Sequence, residues 1–166
     1  MRLNWVLYTF IWLLLLPSTT QAEPFLLGRV VGITDGDTIV ILDENNQQHK
    51  IRLAGIDAPE KGQPYGQSSK KSLSDMAFNH LVNADCPKID RYRRMVCVVW
   101  VDGKDINLKQ IQIGLAWHYK KYENEQQDSE KAAYAKAENE ARTSKIGLWT
   151  ETEPTPPWEW RKQGKR

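Results

Sequence analysis

The chain has 166 residues, with 23 Lys and Arg against 21 Asp and Glu, and a formal net charge of +2. This near neutrality excludes a histone-like or strand-coating mode of nucleic-acid binding, which needs a strong overall excess of basic residues. Any recognition of phosphate must therefore come from a few locally placed arginines. The length suits one domain with a single hydrophobic core.

The first 22 residues have the layout of a secretory signal peptide. Arg2 is followed by an apolar run from Trp5 to Leu16, and small polar residues then lead to Ala22. This layout is typical of secretory peptides, so we predict cleavage after Ala22 and export to a periplasm or out of the cell. The alternative is an uncleaved membrane anchor, but a spanning helix needs about 20 predominantly apolar residues, and this run is shorter.

Segments rich in Val, Ile and Leu, bounded by turn residues, predict five strands. They cover residues 25–33, 38–42, 49–53, 82–86 and 95–101. The first three predict an antiparallel meander, and the last two a second hairpin. If the first turn is centred between Asn45 and Asn46, antiparallel pairing places Asp37 opposite Ala54. Five strands with interspersed helices in one small domain predict a small closed barrel, of the α+β class.

Three helices are predicted over residues 68–78, 106–113 and 129–146. Asp105 can cap the second helix, and Gly114 can end it. In the third helix Tyr134, Ala137 and Ala141 share one side, at positions i, i+3 and i+7, and Gly147 is predicted to end it.

We assign residues 23–150 to the folded domain and residues 151–166 to a Pro/Trp-rich basic tail. The tail is predicted to lack regular helix because of its prolines. Its basic residues, Arg161, Lys162, Lys165 and Arg166, are interpreted as a solvated end.

The two cysteines, Cys86 and Cys97, are not part of a zinc-binding pattern, because there is no CxxC pair or Cys/His cluster. An oxidising compartment would favour a disulfide between them. If the second hairpin turns between Arg91 and Tyr92, the two cysteines lie directly opposite each other, within disulfide range. The alternative is two buried, reduced thiols.

The most informative charged residues surround the first hairpin. The run Asp35-Gly36-Asp37-Thr38 opens the second strand, and the run from Arg52 to Glu60 closes the third. Asp37 and Asp57 are therefore predicted to converge at one strand edge, where two carboxylates repel unless a cation lies between them. Hard oxygen ligands without His or Cys indicate Ca²⁺ or Mg²⁺ rather than zinc.

Two further residues extend this predicted site. Glu60 follows a short Ala-Pro step and is placed to act as a base for an attacking water. The guanidinium of Arg52 suits a phosphate oxygen. Each residue also has a structural interpretation, since Asp57 could cap a helix and Arg52 could pair with Glu60 on the surface. Four charged groups converging on one barrel edge favour the functional interpretation.

A second charged cluster, Asp90-Arg91-Tyr92-Arg93-Arg94, lies on the turn of the other hairpin. It is interpreted either as a soluble turn or as a phosphate clamp with an aromatic side chain beside a sugar or base.

Together these motifs resemble the staphylococcal nuclease (thermonuclease) family. The series Asp-Gly-Asp-Thr, Arg-Leu-x-Gly-Ile-Asp-x-Pro-Glu and Asp-Arg-Tyr-x-Arg, followed by Asn107 and Gly114-Leu115-Ala116, carries the resemblance from about Val30 to Trp149. It implies a five-stranded OB-fold barrel with three helices and a calcium-dependent nuclease acting on DNA and RNA. Such an enzyme leaves 3′-phosphate and 5′-hydroxyl ends and works as a monomer without a stable protein partner.

The resemblance also implies a role for individual residues. Calcium would be held by the carboxylates of Asp37 and Asp57 and by the backbone carbonyl of Ala58, and Glu60 would position the water. The implied phosphate-binding arginines are Arg52 and Arg94, and the implied substrate contacts are Arg91, Tyr92 and Tyr122.

The chain departs from the family pattern in three places. The aromatic residues after the second helix, Trp117, Tyr119 and Tyr122, are not in register with the family's two tyrosines throughout, so only Tyr122 is assigned a role. Ala58 stands where the family's best-known member has a hydroxyl residue, and Arg93 stands where glycine is common. His118 is interpreted as a surface or packing residue rather than a catalyst. The competing interpretation of the whole chain is a non-catalytic nucleic-acid-binding barrel, although such a module has no need of two acids and Glu60.

Overall fold

The computed structural model describes residues 25–164, so the predicted signal peptide lies outside the described residues. Within that range, none of the helices has the length and apolar character needed to cross a membrane.

The strands found in this range are β1 (Phe25–Ile33), β2 (Thr38–Asp43), β3 (Gln48–Leu53), β4 (Ile56–Asp57), β5 (Leu81–Ile89), β6 (Met95–Val101), β7 (Lys104–Asp105) and β8 (Trp117–His118). The α-helices are α1 (Gly66–Ala77), α2 (Ile106–Gln112), α3 (Asp128–Thr143) and α4 (Pro157–Gln163). Short 3₁₀ helices lie at Lys120–Glu125 and Gly147–Thr150.

The five long strands close into a barrel. Antiparallel pairing joins β3 to β2, β2 to β1, β1 to β5 and β5 to β6. A parallel pairing of β3 with β6 closes the ring. Alternate residues point inward, so Ile39 and Ile41 of β2 and Ile51 and Leu53 of β3 are fully buried. The predicted five-stranded barrel of the α+β class is thereby confirmed.

The helices pack around this barrel largely as the sequence predicts. The side chain of Asp105 accepts a hydrogen bond from the backbone N–H of Leu108 at 2.9 Å and so caps α2. Tyr134, Ala137 and Ala141 form the buried side of α3. The Tyr134 hydroxyl also donates to Asp105 at 2.9 Å, which ties α3 to the start of α2.

The predicted end of α3 at Ile146 is wrong, because the helix stops at Thr143. The chain leaves the helix through Lys145, whose φ of 50° is left-handed. Gly147 serves a different purpose, since a Cβ there would lie 2.2 Å from the carbonyl oxygen of Gly114. The glycine therefore permits a close approach between two backbone segments rather than ending the helix.

The register predicted for the first hairpin is wrong by one residue. The hairpin has a three-residue loop with Asn46 in the left-handed region, φ 59°, a common hairpin form. The Asp43 carboxylate holds this loop by accepting from the backbone N–H groups of Asn45 and Gln47. The backbone carbonyl of Asp37 consequently accepts from the N–H of Leu53, not from that of Ala54.

The second hairpin carries a disulfide between Cys86 and Cys97, whose Cα atoms are 4.2 Å apart. Asp85 pairs with Val98, which is the predicted register, but a bulge between Asp85 and Lys88 shifts the pairing toward the turn by one residue. The bulge leaves the cysteines opposite each other, and the predicted bond is confirmed.

Reducing this disulfide is expected to lower the free energy of unfolding by about 2–3 kcal/mol. The bond joins residues 11 apart in the sequence, and it lowers the entropy of the unfolded chain by closing this loop. Denaturant unfolding with and without reductant measures the difference. The double variant Cys86→Ser/Cys97→Ser is the control, and its stability should not respond to reductant. Two thiols alkylated in the native protein without reductant would contradict the bond.

The prediction that the Pro-rich segment lacks regular helix is wrong, because α4 forms over Pro157–Gln163. Proline is compatible with the first turn of a helix, and no proline follows Pro157 within α4. The helix is docked on the domain. The Trp158 ring stacks on Tyr119 with centroids 5.5 Å apart, and it meets the ring of Trp117 edge-on at 6.4 Å.

Candidate active site

Asp37 stands at the start of β2, almost fully buried, with 6% of its surface exposed. Both oxygens of its carboxylate have partners. The hydroxyl of Thr38 donates to Oδ1 at 3.1 Å, and the backbone N–H of Ala58 donates to Oδ2 at 2.8 Å. The second contact joins the start of β2 directly to the segment that follows β4.

Asp57 ends β4 and is completely buried. The chain reaches it through a sharp turn at Gly55, where φ is +69° and a Cβ would lie 2.5 Å from the side-chain amide of Gln126. Glycine is needed there because a side chain would be both strained and obstructed. Pairing of Asp57 with Trp117 of β8 then fixes its position.

Arg52 lies between the two acids. Its NH1 atom is 2.9 Å from Asp37 Oδ2, and its NH2 atom is 2.9 Å from Asp57 Oδ1. The structure thus brings Asp37 and Asp57 to one guanidinium, as the predicted convergence required. The alternative of a surface pair between Arg52 and Glu60 is wrong, because Arg52 uses both terminal nitrogens on the buried acids.

One arginine does not fully compensate this buried acid. Burial raises the pKa of Asp37 to about 7, even though Arg52 acts to lower it. The neighbouring acids Asp35 and Asp57 act in the same direction as burial. A cation beside it would favour the charged form, so the electrostatics fit the implied cation.

The available donors also fit a hard metal ion. Two carboxylates and the carbonyl of Ala58 offer only oxygen atoms, which suit Ca²⁺. Among residues 25–164, no three acidic, histidine or cysteine side chains are arranged as a metal site. The residues of this chain that would hold such an ion are Asp37, Asp57 and Ala58.

Glu60 lies two residues beyond Ala58, with 38% of its side chain exposed in the cleft. Its backbone N–H donates to the side-chain oxygen of Gln63 at 3.1 Å, which fixes the loop before α1. Its carboxylate is therefore accessible from the cleft, unlike the buried carboxylates of Asp37 and Asp57.

Sequence reasoning missed Arg161 of α4. Its guanidinium meets both oxygens of Asp57, with NH2 2.8 Å from Oδ2 and NH1 3.2 Å from Oδ1. The same NH1 atom is 2.7 Å from Glu60 Oε1. The hydrogen bond to Asp57 is the leading cause of a raised pKa for Arg161, so the side chain stays charged. The interpretation of Arg161 as part of a solvated end is wrong.

The residue spacing in α4 indicates that this helix docks on the domain. Trp158 and Arg161 are three residues apart after a proline that can start a helix, so they share a face. A large aromatic residue on that face indicates docking rather than a solvated tail.

The turn of the second hairpin is organised by Asp90. One oxygen of its carboxylate accepts from the backbone N–H groups of Tyr92 and Arg94, at 2.9 and 3.0 Å. The other oxygen lies 2.8 Å from Nε and 2.7 Å from NH2 of Arg94. Arg94 is therefore paired with Asp90, while Arg91 and Arg94 both lie over the ring of Tyr92.

A cleft of about 900 Å³ connects these groups. Its lining includes all nine residues proposed from the sequence: Asp37, Arg52, Asp57, Ala58, Glu60, Arg91, Tyr92, Arg94 and Tyr122. Tyr122 lies edge-on to Tyr119, with ring centroids 5.2 Å apart, and is 42% exposed. The cleft thus combines buried acids, arginines and accessible aromatic rings.

His118 does not belong to this group. It is buried, its Nε2 atom lies 2.8 Å from Gln126 Oε1, and its ring packs edge-on against Tyr134. Of the two non-catalytic interpretations, the structure supports packing.

Comparison with known proteins agrees with this arrangement. Residues 50–151 match the family described as "Staphylococcal nuclease homologue". The chain is 42% identical over 137 residues to an uncharacterized endonuclease of Haemophilus influenzae, covering 82% of this chain and 74% of that protein. It is 37% identical over 147 residues to a micrococcal nuclease of Shigella flexneri, covering 83% and 82% respectively. The barrel, its motifs and these matches show that the chain belongs to the staphylococcal nuclease family.

Proposed function

We propose that the chain is an exported, calcium-dependent nuclease that hydrolyses phosphodiester bonds of DNA and RNA. Water attacks phosphorus in line, and the products carry 3′-phosphate and 5′-hydroxyl ends. The observation that carries this proposal is the convergence of Asp37, Asp57, Glu60 and Arg52 at one edge of the cleft. The names of the relatives, endonuclease and micrococcal nuclease, support the reaction class.

In this proposal Asp37, Asp57 and the carbonyl of Ala58 would hold Ca²⁺. The bound ion would supply Lewis-acid stabilisation of a phosphate oxygen and of the attacking water. Glu60 orients that water and accepts its proton. The guanidinium of Arg52 has five N–H donors, so it keeps donors beyond those used on the two acids and on Leu53 for the charge that develops on the phosphoryl oxygens.

The rest of the cleft suits a nucleic-acid strand. Tyr92 and Tyr122 are exposed aromatic rings, on which sugars or bases can stack without sequence preference. Arg91 lies over the Tyr92 ring, 4.8 Å from its centroid, and adds local positive charge. These local contacts replace the overall basic excess that the composition lacks, and a monomer is sufficient for them.

Export is supported by two observations. The N-terminal 22 residues have the composition of a signal peptide, and the hairpin contains a disulfide, which persists in oxidising compartments. A periplasmic or extracellular location follows from this proposal.

The ends of the products test the proposed reaction. Residues 23–166 are incubated with a short single-stranded DNA and a matched RNA in the presence of Ca²⁺. The 5′ ends of the fragments should accept phosphate from a polynucleotide kinase without prior phosphatase treatment. Fragments with 5′-phosphate ends would contradict the proposed bond cleavage. Binding without any cleavage would favour the non-catalytic barrel instead.

The two neighbouring arginines of the second turn should respond differently to substitution. Arg93 has a left-handed φ of 64° and is exposed, so Arg93→Gly relieves strain of about 1 kcal/mol and leaves turnover near normal. Arg94→Ala is expected to reduce turnover by about 10²–10³-fold, through loss of a donor to developing charge. Turnover of both variants is measured at saturating Ca²⁺.

This prediction requires Arg94 to leave Asp90 when substrate binds. If Arg93→Gly loses most of its turnover and Arg94→Ala keeps nearly parental turnover, the roles of the two arginines are reversed.

A further inference from the structure

The C-terminal helix α4 places a positive charge directly on the acids of the active site. Arg161 contacts both oxygens of Asp57 and one oxygen of Glu60. Residue 161 lies beyond residues 50–151, the part of the chain that matches the family description. Arg161 was not among the site residues predicted from the sequence, so this contact adds to that site.

The position of Arg161 is fixed by the docking of its helix. Trp158, three residues earlier, stacks on Tyr119 and meets Trp117. Before the helix, the side-chain amide of Gln63 donates to the carbonyl of Thr155 at 2.6 Å. Aromatic packing and a hydrogen bond thus present the guanidinium to the acids.

The contacts of Arg161 use the atoms that a cation would need. Asp57 Oδ2 pairs with Arg161, and Asp57 Oδ1 is shared between Arg52 and Arg161. Neither oxygen of Asp57 is left without a guanidinium partner. A cation that binds Asp57 therefore meets two guanidinium charges already at this carboxylate, and their repulsion favours the release of one of them.

Of the two guanidiniums, Arg161 is the easier one to replace. Its side chain is 40% exposed, whereas that of Arg52 is 13% exposed. Arg52 also bridges both acids and donates to the backbone carbonyl of Leu53. Arg161 reaches the site from α4, which contributes no strand to the barrel.

Displacement of Arg161 has a second consequence for Glu60. In the present arrangement Glu60 Oε1 lies 2.7 Å from the guanidinium of Arg161. Release of the arginine would therefore also remove this ion-pair partner and leave the Glu60 carboxylate open to the cleft.

We propose that Arg161 is a built-in competitor of the cation, which holds Asp57 and Glu60 when no cation is bound and is displaced by the cation. This inference rests on the proposed calcium-dependent function. It makes α4 a device that couples loading of the metal to release of the base.

Calorimetric titration of the purified protein with CaCl₂, without nucleic acid, tests the inference. Arg161→Ala is expected to bind Ca²⁺ about tenfold more tightly than the parent, since a two-point, partly exposed ion pair no longer competes. Lys162→Ala is the matched control, because Lys162, among residues 25–164, pairs with the half-exposed Glu159 at 2.8 Å and with no acid of the site. Its affinity should stay within twofold of the parent.

A second variant, Arg161→Gln, separates loss of the charge from loss of helix docking. It keeps the side-chain stem but removes the charge, and it should also bind Ca²⁺ more tightly. Parent-like or weaker affinity in both variants, with the parent still binding Ca²⁺, would overturn the inference and leave the proposed function standing. Failure of the parent and all variants to bind Ca²⁺ would overturn the proposed calcium dependence, and the inference with it.

Discussion

Replacement of Asp57 by asparagine is expected to reduce turnover on DNA by about 10³-fold or more. The substitution keeps the size of a completely buried side chain but removes the charge that would hold the cation. Loss of metal-ion stabilisation corresponds to several kcal/mol in the transition state, and each 1.36 kcal/mol is about tenfold in rate. Turnover is measured at Ca²⁺ concentrations that saturate the parent.

Asp57 also pairs with two arginines, so loss of folding must be separated from loss of function. Thermal unfolding of Asp57→Asn should show a cooperative transition. Asp75→Asn, which alters an exposed acid on α1 paired with Lys71, is the control and should retain parental turnover. An Asp57→Asn variant within a few-fold of the parent would remove this residue from the metal site.

Glu60→Gln is expected to lower turnover by about 10²–10⁴-fold, the usual cost of losing a general base. Glutamine has the same shape and can still accept a hydrogen bond from Arg161, but it cannot take a proton from water. Because the defect is chemical, binding of Ca²⁺ and of nucleic acid should change much less than turnover.

Thermal unfolding and Ca²⁺ titration distinguish a base from a residue that only supports structure. Glu60→Gln should unfold in a cooperative transition and bind Ca²⁺ within a few-fold of the parent, although its turnover is lost. Glu159→Gln, at an exposed glutamate of α4, is the control. Parental turnover in Glu60→Gln would show that another group accepts the proton.

The convergence of the acids was predictable because local sequence determines most of it. Asp37 opens β2, and Asp57 follows β3 by a short turn, so both lie at one edge in any reasonable register. The error of one residue in the hairpin did not separate them, because the turn at Gly55 and the pairing of β4 with β8 place Asp57 independently of the hairpin register.

The cysteine pair was predictable for a similar reason. Near Cys86 the strands keep the register expected from the turn, and the bulge shifts only the turn-proximal part. A bulge arises from local backbone packing and has no reliable signature in sequence, so the shift itself was not foreseen.

Arg161 could not be placed from local patterns. It meets Asp57 across a separation of 104 residues, and its position depends on how Trp158 packs against rings from β8 and the segment after it. The tail is basic and Pro-rich by composition, but composition does not determine the tertiary contacts by which α4 docks. The pairing of Arg94 with Asp90 similarly depends on the conformation of the turn, in which Arg93 is left-handed.

Cleavage of a supercoiled plasmid by residues 23–166, with Ca²⁺ and then with excess chelator, tests the central claim most directly. The groups at the site are hard oxygen ligands with unbalanced negative charge. Relaxed and linear products should therefore form with Ca²⁺, and their formation should stop on chelation and resume when Ca²⁺ is restored. Asp57→Asn, treated in the same way, should give no detectable products within the time that the parent needs to convert the plasmid. Undiminished cleavage by the parent in excess chelator would contradict the account.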